Sequence, residues 1–330
     1  MKDNHFTQAI LRWYSENGRD LPWRRTKDPY AIWLSEIILQ QTRIAQGRAY
    51  WERFLEKWPT VQDLAEASED EVLRLWQGLG YYSRARNLHT AARQIVAQGA
   101  FPQTYAGIRA LKGVGDYTAA AIGSIAFGLP KAVVDGNVYR VLARHYGIAT
   151  VVGSTTGKKE FTDLAQNLLP PEDPGTFNQA MMDFGALQCT PLNPACLTCP
   201  LNPSCDAFRT GRTELLPVKQ APATVKERRI IWIYLRCQGR TAIRRREGND
   251  IWKGLWEPLS INDTRGLPEA AVPLKTGVRH QLTHRTILAD FYLLETETEP
   301  ALPDGYIWID ETELDRYGKP RLFEILLQEL

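Results

Sequence analysis

Long apolar runs are missing from this 330-residue chain. None reaches the roughly 18 residues that would span a bilayer, and the opening residues, MKDNHFTQAI, carry no apolar stretch of signal-peptide type. A cytoplasmic location is therefore expected. A strong charge imbalance is missing too: 40 Lys and Arg against 38 Asp and Glu leave a formal charge of +2 and a pI near 8.2. Such a surface permits a polyanionic partner without demanding one. Cysteine is scarce and unevenly placed, five in all with four crowded into residues 189–205. An odd total and a tight cluster do not make the disulfide framework of a secreted domain. Neither a repeat-length period nor a low-complexity tract is present. What remains, with 44% hydrophobic and 24% charged residues, is a globular chain long enough for two domains.

From residue 5 to about 185 the chain is a succession of helical patterns punctuated by Gly and Pro, such as EDEVLRLWQGLGYYSRARNLHTAARQIVAQG and KKEFTDLAQNLLP. An all-α domain over residues 1–207 is expected, with the cysteine loop 189–205 included. Residues 208–227 are polar and contain proline without a clear period, the composition of a linker. From 228 to 330 the runs RIIWIYLRC, GRTAIRRR and ADFYLLETE are short, β-branched and aromatic. They predict a smaller α+β domain that closes on a short helix in ETELDRYGKPRLFEILLQEL.

Two carboxylates stand in opposite surroundings. AIWLSEIILQQT places Glu36 in an apolar helix begun by Asp28 and Pro29, with Ile32 and Leu39 on the same face. Loss of water disfavours the charged carboxylate, so Glu36 should hold its proton to higher pH, as a general acid must. A structural glutamate paired with Arg24 is the alternative. In KAVVDGNVYRVLARHYG, Asp135 stands just before a helix whose inward side is Val138, Val141 and Leu142. Unpaired N–H groups and the positive end of the dipole favour its anion, whether it is a plain cap or something more. One acid pushed towards its neutral form and one towards its anion is the pairing that glycosidic chemistry uses.

LKGVGDYTAAAIGSIAFG reads as a helix end, a tight turn at Gly113 and Gly115, and a new helix from Asp116 whose first amides could cradle a phosphate. Cys189, Cys196, Cys199 and Cys205 follow with spacing C-x6-C-x2-C-x5-C. Four thiolates suit zinc or an iron–sulfur cluster, and the single C-x2-C pair with unequal arms is unlike the two pairs of common structural zinc sites.

In this order, LxGVGxYTA, VVDGNVYRVLAR and the four cysteines resemble the endonuclease III branch of the helix-hairpin-helix DNA glycosylase superfamily. LPWRR, WLSEIILQQT, GLGYYSRARNLH and FNQAMMDFGALQCT are similar to the MutY-type adenine glycosylases within it, over nearly the whole chain. The resemblance implies a monomer acting on double-stranded DNA that holds adenine opposite 8-oxoguanine or guanine, with a [4Fe–4S] cluster on the four cysteines. It implies that Glu36 protonates adenine, that Asp135 stabilises the sugar cation and that Asn137 supports the site. Bifunctional relatives carry a lysine where this chain has Tyr117, so a hydrolase with water as final nucleophile is implied. Trp23, Arg24 and Gln179 would lie near the flipped adenine. Gln40, Gln41 and Thr42 follow the acid, with Gln41 entering the duplex, and Tyr81 would wedge beside the partner base.

IRRREGNDIWKGLWEPL resembles the Nudix-like domain appended to these enzymes, without the REXXEE helix of hydrolytic Nudix proteins, so magnesium-dependent diphosphate hydrolysis is not expected. The motif that meets 8-oxoguanine, usually Phe-Ser-His, reads Leu282-Thr283-His284 here. Thr283 keeps a hydroxyl while Leu282 gives up aromatic area. The alternatives are a glycosylase for thymine in G·T mispairs or for oxidised pyrimidines, and a non-catalytic protein that binds damaged DNA.

Overall fold

The computed structural model describes residues 4–220, 226–248, 250–282 and 285–330. Two compact units emerge, one of residues 1–51 with 91–221 and the other of 52–90 with 222–330. This division cuts across the boundaries expected from composition, because residues 52–90 group with the C-terminal part of the chain.

The first unit is helical. It holds α1 (Asn4–Asn17), α2 (Pro29–Ile38), the start of α3 (Ile44–Lys57), the end of α6 (Ser83–Ala97), α7 (Tyr105–Ala110), α8 (Asp116–Phe127), α9 (Gly136–Tyr146), α10 (Thr155–Leu168), α11 (Pro174–Asp183) and the short α12 (Asp206–Arg209). Phe6, Ile10, Val141, Leu142, Phe161, Phe177 and Phe184 form the core around which α1, α9, α10 and α11 pack. α2 is apolar almost all round and is buried accordingly, against α8. The stretch expected to be a linker is mostly exposed where it is described, but it is anchored around Leu216. Leu216 is buried in this core and its carbonyl accepts from Arg144 Nε at 3.0 Å, while Val152 N donates to the Val218 carbonyl at 2.9 Å. Leu216 and Val218 in a polar stretch are enough to anchor it.

The second unit pairs α4 (Val61–Glu66), α5 (Glu69–Trp76) and the adjoining parts of α3 and α6 with a seven-stranded sheet. Its strands are β1 (Lys226–Cys237), β2 (Arg240–Arg245), β3 (Trp256–Glu257), β4 (Leu259–Ile261), β5 (Val272–Gln281), β6 (Arg285–Glu295) and β7 (Tyr306–Asp310). The central order is β3-β2-β1-β6-β5, with β4 on β1 and β7 on β2. Only β1 and β6 run parallel among these pairs, in a register that sets Trp232 beside Phe291 with rings stacked at 6.2 Å. The α+β class holds. The closing helix is broken, however: a 3-10 turn over Glu311–Arg316 ends before Pro320, which cannot continue a helix, and α13 spans Arg321–Leu327. Leu322, Phe323 and Leu326 of α13 complete this core with Trp232, Tyr234 and Ile243. Cys237 is an ordinary buried thiol at the end of β1.

Candidate active site

Asp28 starts α2 by accepting from the amides of Tyr30 at 3.0 Å and Ala31 at 3.3 Å, with Pro29 at the first position. About two turns later the only charged residue of α2, Glu36, reaches a cavity of about 590 Å³, and the surface it keeps lines that cavity. Burial pushes its carboxyl up from 4.5 to about 7; a hydrogen bond with Tyr117 pulls down, the charge of Asp135 pushes up, and Arg24 pulls down least. Tyr117, the second residue of α8, is half-buried and lines the same cavity, with its own pKa driven well above 10 by loss of water and by the facing carboxylates. Its hydroxyl also donates to Met182 Sδ at 3.4 Å.

Asp135 lines the same cavity from the start of α9. Its Oδ1 accepts from the amides of Asn137 at 2.9 Å and Val138 at 2.8 Å, and its Oδ2 accepts from Asn137 Nδ2 at 2.8 Å. Three donors on one carboxylate fix its orientation and suit an anion. Asn137 is fixed in turn: its Oδ1 accepts from Arg140 Nη2 at 2.9 Å, and the buried Arg140 also donates to the carbonyls of Gly185 at 2.5 Å and Cys189 at 2.7 Å. A side chain at 185 would put Cβ 2.6 Å from Asn137 Cβ, so only glycine lets these segments meet. The aspartate loop is thereby tied to the segment that leads into the cysteines.

Arg24 does not pair with Glu36. Its guanidinium donates to both oxygens of Asp183, at 2.6 and 2.8 Å, and Arg19 Nε donates to the same carboxylate at 2.8 Å. Burial works to raise the Asp183 pKa, but hydrogen bonds from Arg24 and then Arg19 outweigh it, so the carboxyl ends below its usual range. Arg24 therefore keeps its place in the cavity wall, over the Tyr14 ring at 5.7 Å. Tyr14 in turn donates to Gln179 Oε1 at 3.2 Å.

Trp23, Gln40, Gln41, Thr42 and Gln179 line the cavity together with Arg24 and Asn137. Gln40 Nε2 donates to Thr118 Oγ1 at 3.3 Å, which holds the first amide to α8. Gln41 is exposed and left-handed, at φ 56°. Gly113 is left-handed too, at φ 79°, and Gly115 caps α8 with nothing within 4 Å of where a side chain would start. That opening at a helix N-terminus has room for a phosphate. The neighbouring Asp116 accepts from Arg109 Nε at 2.7 Å, which offsets the repulsion its charge would offer.

Tyr81 belongs to the other unit, 46% exposed and also left-handed at φ 47°. There, too, Leu282 packs against the core of the sheet, its amide donating to the Arg285 carbonyl at 2.8 Å. Thr283 and His284 lie outside the described residues.

The four cysteines follow a π-helical turn over Phe184–Gln188 and are free thiols, with Cys189, Cys199 and Cys205 packed at the edge of the α9 core. Burial pushes Cys199 up to about 11, and Cys205 Sγ donates to the Arg144 carbonyl at 3.5 Å. Among the described residues no three His, Cys, Asp or Glu side chains converge on a single ion. A cubane takes one thiolate at each of four corners, and the donor set of four free thiols fits that chemistry. Arg144 Nη1 reaches Cys189 Sγ at 3.4 Å and the Thr190 carbonyl at 2.7 Å. Arg209 and Arg212, just beyond, pair with Asp206.

Asp183, Arg19 and Arg140 escaped the sequence reading. Asp183 carried the same signal as Glu36, one charge in the apolar run MMDFGAL. Arg140 could have been found three residues after Asn137, on the same face of α9.

Residues 34–171 match the family described as HhH-GPD superfamily base excision DNA repair protein, and residues 231–329 match the NUDIX domain. The chain is 36% identical over 295 residues to the adenine DNA glycosylase of Buchnera aphidicola subsp. Baizongia pistaciae, covering 86% of this chain and 84% of that protein. It is 47% identical over 222 residues to the adenine DNA glycosylase of Homo sapiens, covering 64% of this chain and 41% of the human protein. The matched stretch thus spans less than half the length of the mammalian relatives. A thermostable thymine-DNA glycosylase superposes with TM-score 0.58 at 32% identity, over 62% of this chain and 95% of that one. A non-covalent endonuclease III–DNA complex superposes with TM-score 0.55 at 22% identity, over 63% and 95%, and shares the fold.

Proposed function

The chain belongs to the adenine DNA glycosylase family, and from that premise we propose that it hydrolyses the N-glycosidic bond of adenine mispaired with 8-oxoguanine or guanine in duplex DNA. The observation that carries this reading is the meeting of Glu36 and Asp135 on one cavity, the first pushed up to about 7 by burial and the second ringed by three donors. The adenine leaves the stack and enters the cavity, Glu36 protonates it at N7, and the bond to the sugar breaks. Asp135 stabilises the oxocarbenium-like sugar or captures it covalently, and water completes the hydrolysis. Tyr117 offers no amine, so the enzyme is monofunctional.

Gln41 enters the duplex, Tyr81 wedges beside the partner base, and the Gly113–Gly115 hairpin holds the backbone. Trp23, Arg24 and Gln179 border the base, and Leu282, Thr283 and His284 read the partner guanine. Cys189, Cys196, Cys199 and Cys205 hold a [4Fe–4S] cluster, which stiffens this loop and acts on base release only through the residues it holds in place. The enzyme acts as a monomer in the cytoplasm.

Single-turnover base release from duplexes with adenine opposite 8-oxoguanine tests the reading, with native protein and Glu36→Gln, each with and without alkali. Adenine release by the native enzyme, breaks mainly after alkali and loss of release in the variant are expected. Release of thymine from a G·T pair with adenine left intact would favour the activity named for the superposed thymine-DNA glycosylase.

A further inference from the structure

The loop that carries Tyr81 has a backbone that its sequence alone would not hold. Gly78, Gly80 and Tyr81 are all left-handed, at φ 95°, 70° and 47°. A bulky residue stays there only where its surroundings over-determine it. Part of the restraint is local. Trp76 Nε1 donates to the Gly80 carbonyl at 2.9 Å, the Arg84 amide donates to the Tyr81 carbonyl at 2.8 Å, and the Arg84 guanidinium lies 5.6 Å from the Tyr81 ring.

The rest comes from the far end of the chain. The Lys319 amide donates to Gln77 Oε1 at 3.3 Å, Gln77 Nε2 donates to the Glu324 carboxylate, and the Tyr82 hydroxyl donates to the Lys319 carbonyl at 3.3 Å. Gln77 thus spends both ends of its amide on two residues that flank Pro320. The receiving segment is itself pinned, since the Lys319 ammonium is buried and donates to the Leu314 carbonyl.

We propose that residues 318–324 brace the loop over residues 77–82, with Gln77 as the positioning residue that keeps Tyr81 set for the duplex. This rests on the reading above that Tyr81 enters DNA. The C-terminal domain then serves base removal twice, by reading the partner base and by holding the wedge.

Full-length variants Gln77→Ala, Glu324→Ala, Glu324→Gln, Tyr81→Ala and Gln77→Ala/Tyr81→Ala test this. Each is built on Glu36→Gln, so that a duplex with adenine opposite 8-oxoguanine is bound without being cut. Amide hydrogen exchange at residues 78–82 without DNA reads the brace, and duplex affinity reads the wedge. Gln77→Ala and Glu324→Ala should speed exchange and weaken affinity roughly three- to tenfold, the worth of one or two hydrogen bonds. Glu324→Gln keeps an acceptor and should restore both. The double variant should bind no worse than Tyr81→Ala alone, because residues acting through one another do not add. Unchanged exchange in Gln77→Ala, or losses that add, would overturn the brace. Wild-type affinity in Tyr81→Ala would overturn the wedge reading itself, and is seen without reference to Gln77.

Discussion

Arg24 places its guanidinium on the buried Asp183, at 2.6 and 2.8 Å, and not on Glu36, although Arg24 and Glu36 line the same cavity. An arginine on Glu36 would have made it a permanent anion. With Arg24 held elsewhere, burial decides and the carboxyl titrates near 7. The proposed acid must be protonated, so single-turnover base release should be level below pH 7 and fall about tenfold per pH unit above it. A rate that stays flat to pH 9 would remove Glu36 from that role.

Glu36→Gln should cost activity and gain stability. The folded carboxyl keeps its proton to about pH 7, whereas an unfolded glutamate releases it near 4.5. Between those values the folded state binds the extra proton, so the glutamate erodes stability as pH rises through the window. At pH 8 the glutamine variant should melt higher, by an amount worth roughly 3 kcal/mol at most, and near pH 4.5 the two proteins should coincide. Base release should drop by a factor on the order of 100 to 10,000. Thermal melts at the two pH values check the first claim and quenched-flow kinetics the second.

Asp183→Asn tests the division of labour between the two acids. Removing the charge leaves two arginines beside one neutral acceptor and should destabilise the fold towards the lower end of roughly 3–5 kcal/mol, the range for broken buried pairs. Arg24 then acts more strongly on Glu36, whose pKa it already lowers slightly. The alkaline fall in base release should move to lower pH, a shift that simple loss of stability does not produce.

Much of this site was legible because its signals are local. Asp28-Pro29 marks the start of α2, Asp135 the start of α9, and a lone acid in an apolar helix is visible without coordinates. Pairing across the chain was not legible. Arg24 and Asp183 are 159 positions apart, and nothing in either stretch says that the arginine goes to that acid and not to Glu36. The same holds for Gln77 and Lys319, separated by 242 positions, whose contact is part of why residues 52–90 group with the C-terminal sheet. Leu216 shows the remaining difficulty. A polar, proline-containing stretch has the composition of a linker, yet one buried leucine and two carbonyl bonds dock it.

Iron analysis bears on the cysteine loop. Protein purified without oxygen should carry iron and acid-labile sulfide in equal amounts, and Cys199→Ser should lose both. Zinc without sulfide would replace the cluster with a single-ion site. Arg140 donates to the Cys189 carbonyl and to Asn137, so losing the cluster should also slow base release by loosening Asp135. Comparing chemistry on bound duplex with duplex affinity separates that effect from weaker binding.

Asp135 does two jobs that substitution can separate. As the cap of α9 it accepts from the amides of Asn137 and Val138, and as the proposed anion it faces the sugar. Asp135→Ala removes both and should cost about 1 kcal/mol of stability along with the activity, since a lost cap is worth roughly 0.5–2 kcal/mol. Asp135→Asn retains an oxygen of the same reach and is nearly as good a cap, so its melting temperature should stay close to that of the native protein. It brings no negative charge, and the developing sugar cation would meet a neutral amide that also turns a donor towards Asn137 Nδ2. Base release should therefore fall as far in the asparagine variant as in the alanine one, while stability separates them. Native-like rates in Asp135→Asn would mean that the residue is a cap and nothing more.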